Sequence, residues 1–314
     1  MSVPMSVLIS NLVGLFALMG VGVLVVRLKV VPLSVSGSLS SLLVTVLSPA
    51  MIFRSMLQPF STDFLRDSAV IFAVGFGLYL LSMGAALLLA GAFRVPLERK
   101  GLWALCVAFP NNGYMGYPII QALLGDNALA LAAIMGIPCN ALLYTLGVRM
   151  LVLGRKREDG TGGASLRKLL LTPANAATAV GLAVFLLRIP VPDVVYTPIN
   201  YLAGMATPMS MLIIGMGLTR CSFARAVRDR AALTAALAKL VLLPLLVYLA
   251  LRVIPFGNAL FAPVILATVS MPTAAIICAL TEKYGADMEL AAELSFLTGV
   301  GCIVTVPLLL SLPL

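Results

Sequence analysis

The sequence predicts an all-α integral membrane protein with ten transmembrane helices, built as two inverted five-helix repeats with Pro-broken crossover helices 4 and 9. Three observations predict this fold class. Of the 314 residues, 61% are hydrophobic and 11% are charged, whereas a soluble domain carries about 25% charged residues. The chain also divides into ten apolar runs of membrane-spanning length. Finally, prolines recur in corresponding runs of its two halves.

Each of the ten runs has about 18 or more mainly apolar residues, which is the length needed to cross a hydrocarbon core of about 30 Å. The first run is expected to remain a permanent span, because it lacks a basic n-region and a small-residue cleavage site. The predicted spans cover approximately residues 5–26, 35–57, 68–93, 101–124, 127–152, 169–189, 194–218, 231–254, 258–280 and 288–311.

The basic residues predict the orientation of these spans. Assigning the 21 Lys and Arg residues to alternating loops places sixteen on one side and four on the other, with Lys239 inside a span. Cytoplasmic loops carry an excess of Lys and Arg. Both termini are therefore expected on the non-cytoplasmic side. The net charge of +9 reflects this topology, and no nucleic acid partner is expected.

A polar stretch near the middle of the chain separates two halves. Residues 154–168, GRKREDGTGGASLRK, are predicted to be a flexible cytoplasmic linker between a first repeat, 1–153, and a second repeat, 169–314. Five spans on each side mean that the second half enters the membrane in the opposite sense. The halves share two proline positions, at similar offsets of 159 and 162: Pro49 with Pro208 and Pro110 with Pro272.

The fourth span contains a break. Within CVAFPNNGYMGYPIIQALLG, Cys106–Gly125, the residues Asn111, Asn112 and Gly113 follow Pro110 directly. Proline removes one backbone hydrogen bond and clashes with the preceding turn. Unwound backbone is tolerated at membrane depth only where it lines a cavity or contacts protein. The sequence therefore predicts an unwound segment that faces such a cavity.

The ninth span contains a corresponding proline and runs in the opposite direction, so the two breaks are expected to cross at one depth. Each break creates a helix N-terminus with free amide donors and partial positive charge, which favours an anion. Discontinuous helices in two repeats mark the substrate site of many secondary transporters. The predicted carboxylate-binding residues are Pro110, Asn111, Asn112, Gly113, Pro272 and Thr273.

Two ionisable residues inside predicted spans are candidates for charge compensation or coupling. Lys239 lies nine residues after Arg230, which is roughly 14 Å along a helix and too deep for easy contact with water. One interpretation is that its ammonium group occupies the place of a coupling cation; the other is a buried ion pair or a carbonyl clamp. Glu293 either pairs with Lys239 or faces the cytoplasmic interface.

The residues that are absent exclude several function classes. The chain has no histidine, and its five cysteines are scattered without metal-like spacing and are expected to pack in the interior. A membrane-embedded enzyme would need a nucleophile with a base, metal ligands or paired carboxylates. A nucleotide-driven pump would need a P-loop. We therefore expect no enzyme activity, no cofactor and no metal, and a transporter or a non-transporting sensor remains.

Three segments together resemble the auxin efflux carrier family, including its bacterial members. They are FPNNGYMGYPI at Phe109–Ile119, MPTAAIICALTEKYGADMELA at Met271–Ala291 and LSPAMIF at Leu47–Phe53. The resemblance implies the ten-helix fold with crossed helices and elevator-like alternating access between a scaffold and a transport domain. It also implies a homodimer. Plant members carry Asn-Pro-Asn at the first crossover, so this pattern matches Pro110 together with either Asn111 or Asn112.

The resemblance further implies the function. Bacterial relatives carry small organic anions such as malonate and malate, and plant relatives move the auxin carboxylate. The short central linker favours a bacterial carrier in the inner membrane. The sequence therefore predicts a secondary transporter for a mono- or dicarboxylate. Uniport, proton or sodium coupling, import or export, and a sensor without transport all stay open.

Overall fold

The computed structural model describes residues 5–57, 60–151, 172–219 and 226–313. The predicted linker at 154–168 lies outside these residues. Within the described ranges the chain is helical, and the single β-type pairing is an isolated bridge. The all-α class predicted from the sequence is confirmed.

Between residues 5 and 151 the structure contains eight α-helices, several of which continue one another end to end. Several helices, here and later in the chain, begin with a side-chain cap. The side-chain oxygens of Ser61, Thr172, Asp229 and Asp287 each accept a hydrogen bond from a first-turn amide. The eight helices are α1 (Met5–Arg27), α2 (Val35–Leu42), α3 (Ser48–Met56), α4 (Thr62–Ala92), α5 (Leu97–Ala108), α6 (Tyr117–Leu124), α7 (Asp126–Leu142) and α8 (Val148–Leu151).

The described residues after 171 contain seven more α-helices. Pro208 lies inside one of them without interrupting it, because neighbouring helices can satisfy the carbonyl that a membrane proline frees. The seven helices are α9 (Pro173–Leu186), α10 (Asp193–Leu218), α11 (Arg230–Leu237), α12 (Leu243–Leu251), α13 (Phe261–Ser270), α14 (Ile276–Lys283) and α15 (Met288–Leu310).

Four π-helical turns lie between or beside these helices. A π-turn bonds residue i to i+5, which inserts one extra residue and rotates the face of the helix that follows. Three of the turns join two α-helices into one continuous rod, and the second follows the gap after α5. The turns are Leu43–Leu47, Asn112–Gly116, Leu143–Gly147 and Ala238–Leu242.

Six continuous helical runs in the described residues are long and apolar enough to cross a membrane. Their outward surfaces are apolar as well: Leu81, Leu88 and Val194 are 75%, 76% and 86% exposed. Such surfaces are stable only in lipid or against a partner. The six runs are Val35–Met56, Thr62–Ala92, Asp126–Leu151, Asp193–Leu218, Arg230–Leu251 and Met288–Leu310. The protein is therefore a multi-pass membrane protein, and the count of ten spans stays a prediction.

The helices pack as two groups. Helices α1, α2, α3, α9 and α10 contact mainly one another, and we call them the frame group. Helices α4 to α7 and α11 to α15 form the second set, which we call the core group. The two groups meet where α3 and α9 pack against α7, and where α1 and α10 pack against α6 and α15.

Glycines allow the closest approach inside the frame group, between α1 and α10. A Cβ atom on Gly22 would lie 3.1 Å from the Cα atom of Gly215. A Cβ atom on Gly215 would collide with the carbonyl oxygen of Met19. Small residues at such seams are typical of membrane helices, whose association depends on close backbone packing.

An ion cluster at one end of the core group holds three helix starts together, and we call it the Arg99 cluster. Arg99, in the first turn of α5, pairs with Asp229 at 2.7 Å and with Asp287 at 2.8 Å. These aspartates cap α11 and α15. Partial burial raises the pKa of Asp229, but hydrogen bonds from Arg99 and from two backbone amides outweigh it and hold the pKa below its ordinary value.

Candidate functional site

The first break in a helix lies at residues 109–111. Helix α5 ends at Ala108, and Phe109 is extended, with φ −104° and ψ 121°. Helical structure resumes at Asn112 as a π-turn that continues into α6. The side-chain oxygen of Asn111 caps this turn by accepting a hydrogen bond of 3.3 Å from the Tyr114 amide. One of the two adjacent asparagines therefore shapes the backbone.

The second break lies at residues 271–275. Helix α13 ends at Ser270, and Met271 is extended, with φ −67° and ψ 151°. Helix α14 then begins at Ile276. Pro272 is buried within this stretch and has no amide hydrogen to continue the helix.

The two breaks pair with each other. Pro110 and Thr273 form an antiparallel bridge. The Asn111 amide donates to the Pro272 carbonyl at 2.8 Å, and the Ala274 amide donates to the Phe109 carbonyl at 3.1 Å. Backbone groups released by the two helix ends thus satisfy one another, as buried peptide groups in a membrane must.

Thr273 uses its polar groups to hold the pairing in place. Its hydroxyl donates to the Cys106 carbonyl at 3.1 Å, and its amide donates to the Thr298 hydroxyl at 3.2 Å. The side chain is 3% exposed. The sequence predicts that Thr273 contacts a carboxylate, whereas in this arrangement both of its donors are bound to protein. It connects α5, α13 and α15 at one point.

Asn112 differs, because part of its amide has no partner. Its Nδ2 atom lies 3.4 Å from the Tyr79 hydroxyl and 3.8 Å from the Cys139 sulfur. Its Oδ1 atom is buried and has no hydrogen-bond partner within the described part of the chain. Because the Tyr79 hydroxyl can also donate, a half-turn of the amide places Nδ2 at the free position. Asn112 can therefore offer either an acceptor or a donor to a ligand.

Gly113 adds a backbone donor beside Asn112. Its amide lies in the first turn after the break, and among the described residues it donates to no acceptor. A Cβ atom built on Gly113 would meet nothing within 4 Å, so open space lies next to this residue. In contrast, a Cβ atom on Gly116 would lie 3.2 Å from the Asn112 side-chain oxygen. A small ligand can thus approach at Gly113.

Lys239 lies in the π-turn between α11 and α12, and this turn packs against α5, α13 and α15. Its side chain is 1% exposed, and its Nζ atom has no hydrogen-bond partner among the residues that the structure describes. It lies within electrostatic range of the Cys106 and Cys139 side chains. An ammonium group in this position adds positive potential beside α5 and α13, the two helices that end at the breaks.

Glu293 does not join this arrangement. It is buried in the second turn of α15, with 6% exposure. No ion pair links it to Lys239 in the described residues, so the predicted alternative of a buried Lys239–Glu293 pair is not formed. The described residues also contain no group of three His, Cys, Asp or Glu side chains that could hold a metal ion.

Sequence reasoning did not identify Tyr79 and Cys139, which contact Asn112 from α4 and α7. Each lies in a long apolar run with no break, and nothing in the local pattern separates them from packing residues. The proline at Pro138, next to Cys139, is the nearest signal in the sequence.

Comparison with known proteins decides the family. The profile of the family described as "Membrane transport protein" matches residues 7–163 and 160–310. The chain belongs to this family. The membership confirms the resemblance to auxin efflux carriers, and it indicates a membrane transporter rather than an enzyme.

Individual relatives of this membrane transport protein are similar along most of their length. A Rhizobium meliloti (strain 1021) protein named "Putative malonate transporter" is 26% identical over 302 residues, which is 95% of this chain and 93% of the relative. An "Uncharacterized transporter" of Methanothermobacter thermautotrophicus is 23% identical over 275 residues, which is 87% of each chain. The matched lengths show that the transporter is similar to these proteins as a whole.

Proposed function

We propose that this membrane transport protein is a secondary transporter that moves a small organic anion, a mono- or dicarboxylate such as malonate or malate, across a bacterial inner membrane. The fourth and ninth spans of the ten-span inverted repeat, which contain α5 with α6 and α13 with α14, cross at the two breaks. The carboxylate is held at this crossing. The observation that carries this proposal is the Gly113 amide, which has no acceptor among the described residues and lies beside open space. It is next to the side-chain oxygen of Asn112, which likewise has no partner there.

The electrostatics of the breaks favour an anion. Helical structure restarts at Asn112 and at Ile276, and each restart directs unbonded amide hydrogens and partial positive charge towards the paired backbone. The amides of Ala275 and Ile276 likewise donate to no acceptor in the described residues. In the proposed site Asn112 and Gly113 contact the carboxylate, while Pro110, Asn111, Pro272 and Thr273 fix the backbone that presents them.

One relative supports a dicarboxylate in particular. The Rhizobium meliloti protein is named for malonate, and its similarity covers 95% of this chain. A second carboxylate in the substrate would need a further positive group. Lys239 supplies one beside the site, and we propose that it compensates substrate charge in place of a coupling cation. Glu293 remains a candidate for proton coupling, because it is a buried acid in the same group of helices.

The two groups of helices fit alternating access by an elevator-like motion. Both breaks belong to the core group, and the closely packed helices of the frame group lie against this group. In the proposal the core group moves as the transport domain, and the frame group forms the scaffold and the homodimer contact. Both termini lie on the non-cytoplasmic side, with the 154–168 linker in the cytoplasm.

A carboxylate panel tests the proposal directly. Purified protein should show an increased melting temperature with malonate, malate or a related carboxylate, and proteoliposomes should take up the same compound. Uptake measured with and without sodium, and with and without a pH gradient, distinguishes uniport from coupled transport. Binding without flux would instead indicate a sensor. Neither binding nor flux with any carboxylate would contradict the proposed function.

A further inference from the structure

The end of α3 holds a polar cluster of four residues, Arg54, Asn200, Asp126 and Gln121, which we call the Arg54 cluster. The Arg54 guanidinium donates to the Asn200 side-chain oxygen at 2.9 Å through one terminal nitrogen. Its other terminal nitrogen pairs with the Asp126 carboxylate at 3.0 Å. Gln121 supports the same carboxylate oxygen with a hydrogen bond of 2.8 Å.

These contacts join the two groups of helices. Arg54 lies on α3 and Asn200 on α10, both in the frame group. Asp126 begins α7 and Gln121 belongs to α6, both in the core group. Each terminal nitrogen of the guanidinium thus contacts a different group of helices.

The Arg99 cluster provides the contrast. Arg99, Asp229 and Asp287 begin α5, α11 and α15, which all belong to the core group. In the ten-span topology of the proposed function, the chain crosses the membrane from Arg99 through the first break to Asp126, which places the two clusters at opposite faces. Of the ion pairs in the described residues, the Arg54–Asp126 pair is the one that spans the boundary between the groups.

The chemistry of the Arg54 cluster allows it to open. The Asp126 side chain is 50% exposed, whereas that of Arg54 is 17% exposed. Ion pairs with such access to solvent are weak, so water can replace Asp126 when the core group moves. The bond to Asn200 stays within the frame group and holds the guanidinium in place meanwhile. The planar fork of Arg reaches two partners at once, which a Lys ammonium on the same stem does not match.

We propose that Arg54, Asp126 and Asn200 form a releasable latch that holds the core group against the frame group at the face opposite the Arg99 cluster. The latch rests on the alternating access of the proposed function. Moving the core group breaks the Arg54–Asp126 pair and leaves the Arg54–Asn200 bond intact. The latch therefore biases the equilibrium between positions without locking it.

The test measures the distance between the groups without any substrate. In a cysteine-free background, spin labels are placed at Val194→Cys on the frame group and at Thr62→Cys on the core group; both positions are exposed and lie near the Arg54 face. Distances are then recorded by pulsed electron paramagnetic resonance in lipid nanodiscs. We expect Arg54→Gln and Asp126→Asn to increase the minor distance population at least three-fold. Arg54→Lys should give an intermediate change.

Arg66→Gln is the matched control, because it removes the same charge from an exposed residue in the second turn of α4, and Arg66 makes no ion pair among the described residues. It should leave the distance distribution unchanged. Identical distributions in the wild type and in all latch variants of native melting temperature would overturn the latch. A changed distribution in a protein without carboxylate flux would support the latch and contradict the proposed function, so the two failures are distinguishable.

Discussion

The two breaks share a backbone arrangement but differ in the polar groups that remain available. Each interrupts a helix, and they bond to each other through Asn111, Pro272, Phe109 and Ala274. At the second break the hydroxyl and amide of Thr273 are bound to Cys106 and Thr298. At the first break the Asn112 side-chain oxygen and the Gly113 amide have no partner among the described residues, whereas the groups without a partner there at the second break are backbone amides alone.

In the proposed site, pairing of the backbone and presentation of groups to a ligand are therefore separate tasks. A proline in each helix creates the unwound backbone, and both breaks contribute equally to joining the halves of the site. Only the first break adds side-chain polarity that the protein itself does not use. The first break is therefore expected to control affinity, and the second to control the stability of the arrangement.

Lys239 gives the largest expected effect, because its turn packs against α5 and α13, the two helices that end at the breaks. Lys239→Met keeps the length of the side chain and removes the ammonium group. Uptake in proteoliposomes should fall to background in sodium-free buffer or become dependent on added sodium. The melting temperature should be equal or higher, because a buried charge without a partner opposes folding. Lys100→Met, at the Arg99 face, is the control and should retain uptake. An unchanged uptake rate without sodium would assign Lys239 to structure alone.

Asn112→Ala gives the next largest effect and tests the first break. Losing a hydrogen bond to a charged ligand costs about 1.5–3 kcal/mol, so the dissociation constant of the carboxylate should rise roughly 10- to 150-fold. Calorimetric titration measures it. Asn140→Ala removes the same amide from α7, where Asn140 bonds to Asn175 at 2.9 Å, and it should leave affinity nearly unchanged. Wild-type affinity in Asn112→Ala would remove this residue from the site.

Thr273→Val gives the smallest effect on binding and tests the second break. It deletes the hydroxyl that bonds to the Cys106 carbonyl, which should lower the free energy of unfolding by about 1 kcal/mol. Affinity should change less than about three-fold, since this hydroxyl is already used by the protein. Thr268→Val removes a hydroxyl that bonds within its own helix and serves as the control. If Thr273→Val weakens binding as much as Asn112→Ala, the two breaks are equivalent and our comparison is wrong.

The sequence predicts the positions of the breaks well, because proline acts through local covalent geometry. Helix α5 ends two residues before Pro110, and α13 ends two residues before Pro272. The all-α membrane class follows from composition for a similar reason, since lipid requires internally bonded backbone. Both predictions depend on local properties of the residues, whose effects do not require distant partners in the chain.

The division of roles at the site was not predictable in the same way. The sequence does not distinguish Thr273 from Asn112, because each is a polar residue within two positions of a membrane proline. Their difference arises from distant partners, Thr298 in one case and Tyr79 with Cys139 in the other. The π-turn that carries Lys239 is similarly a product of packing between helices, because its residues have ordinary helical propensity.

The antiparallel bridge between Pro110 and Thr273 has a consequence for how such a protein changes over generations. Its hydrogen bonds run between main-chain groups, which every amino acid supplies apart from the amide that proline lacks. Mutations that retune the side chains facing the open space can therefore accumulate while the two halves remain joined. A related protein could therefore acquire a new substrate while it keeps the same fold.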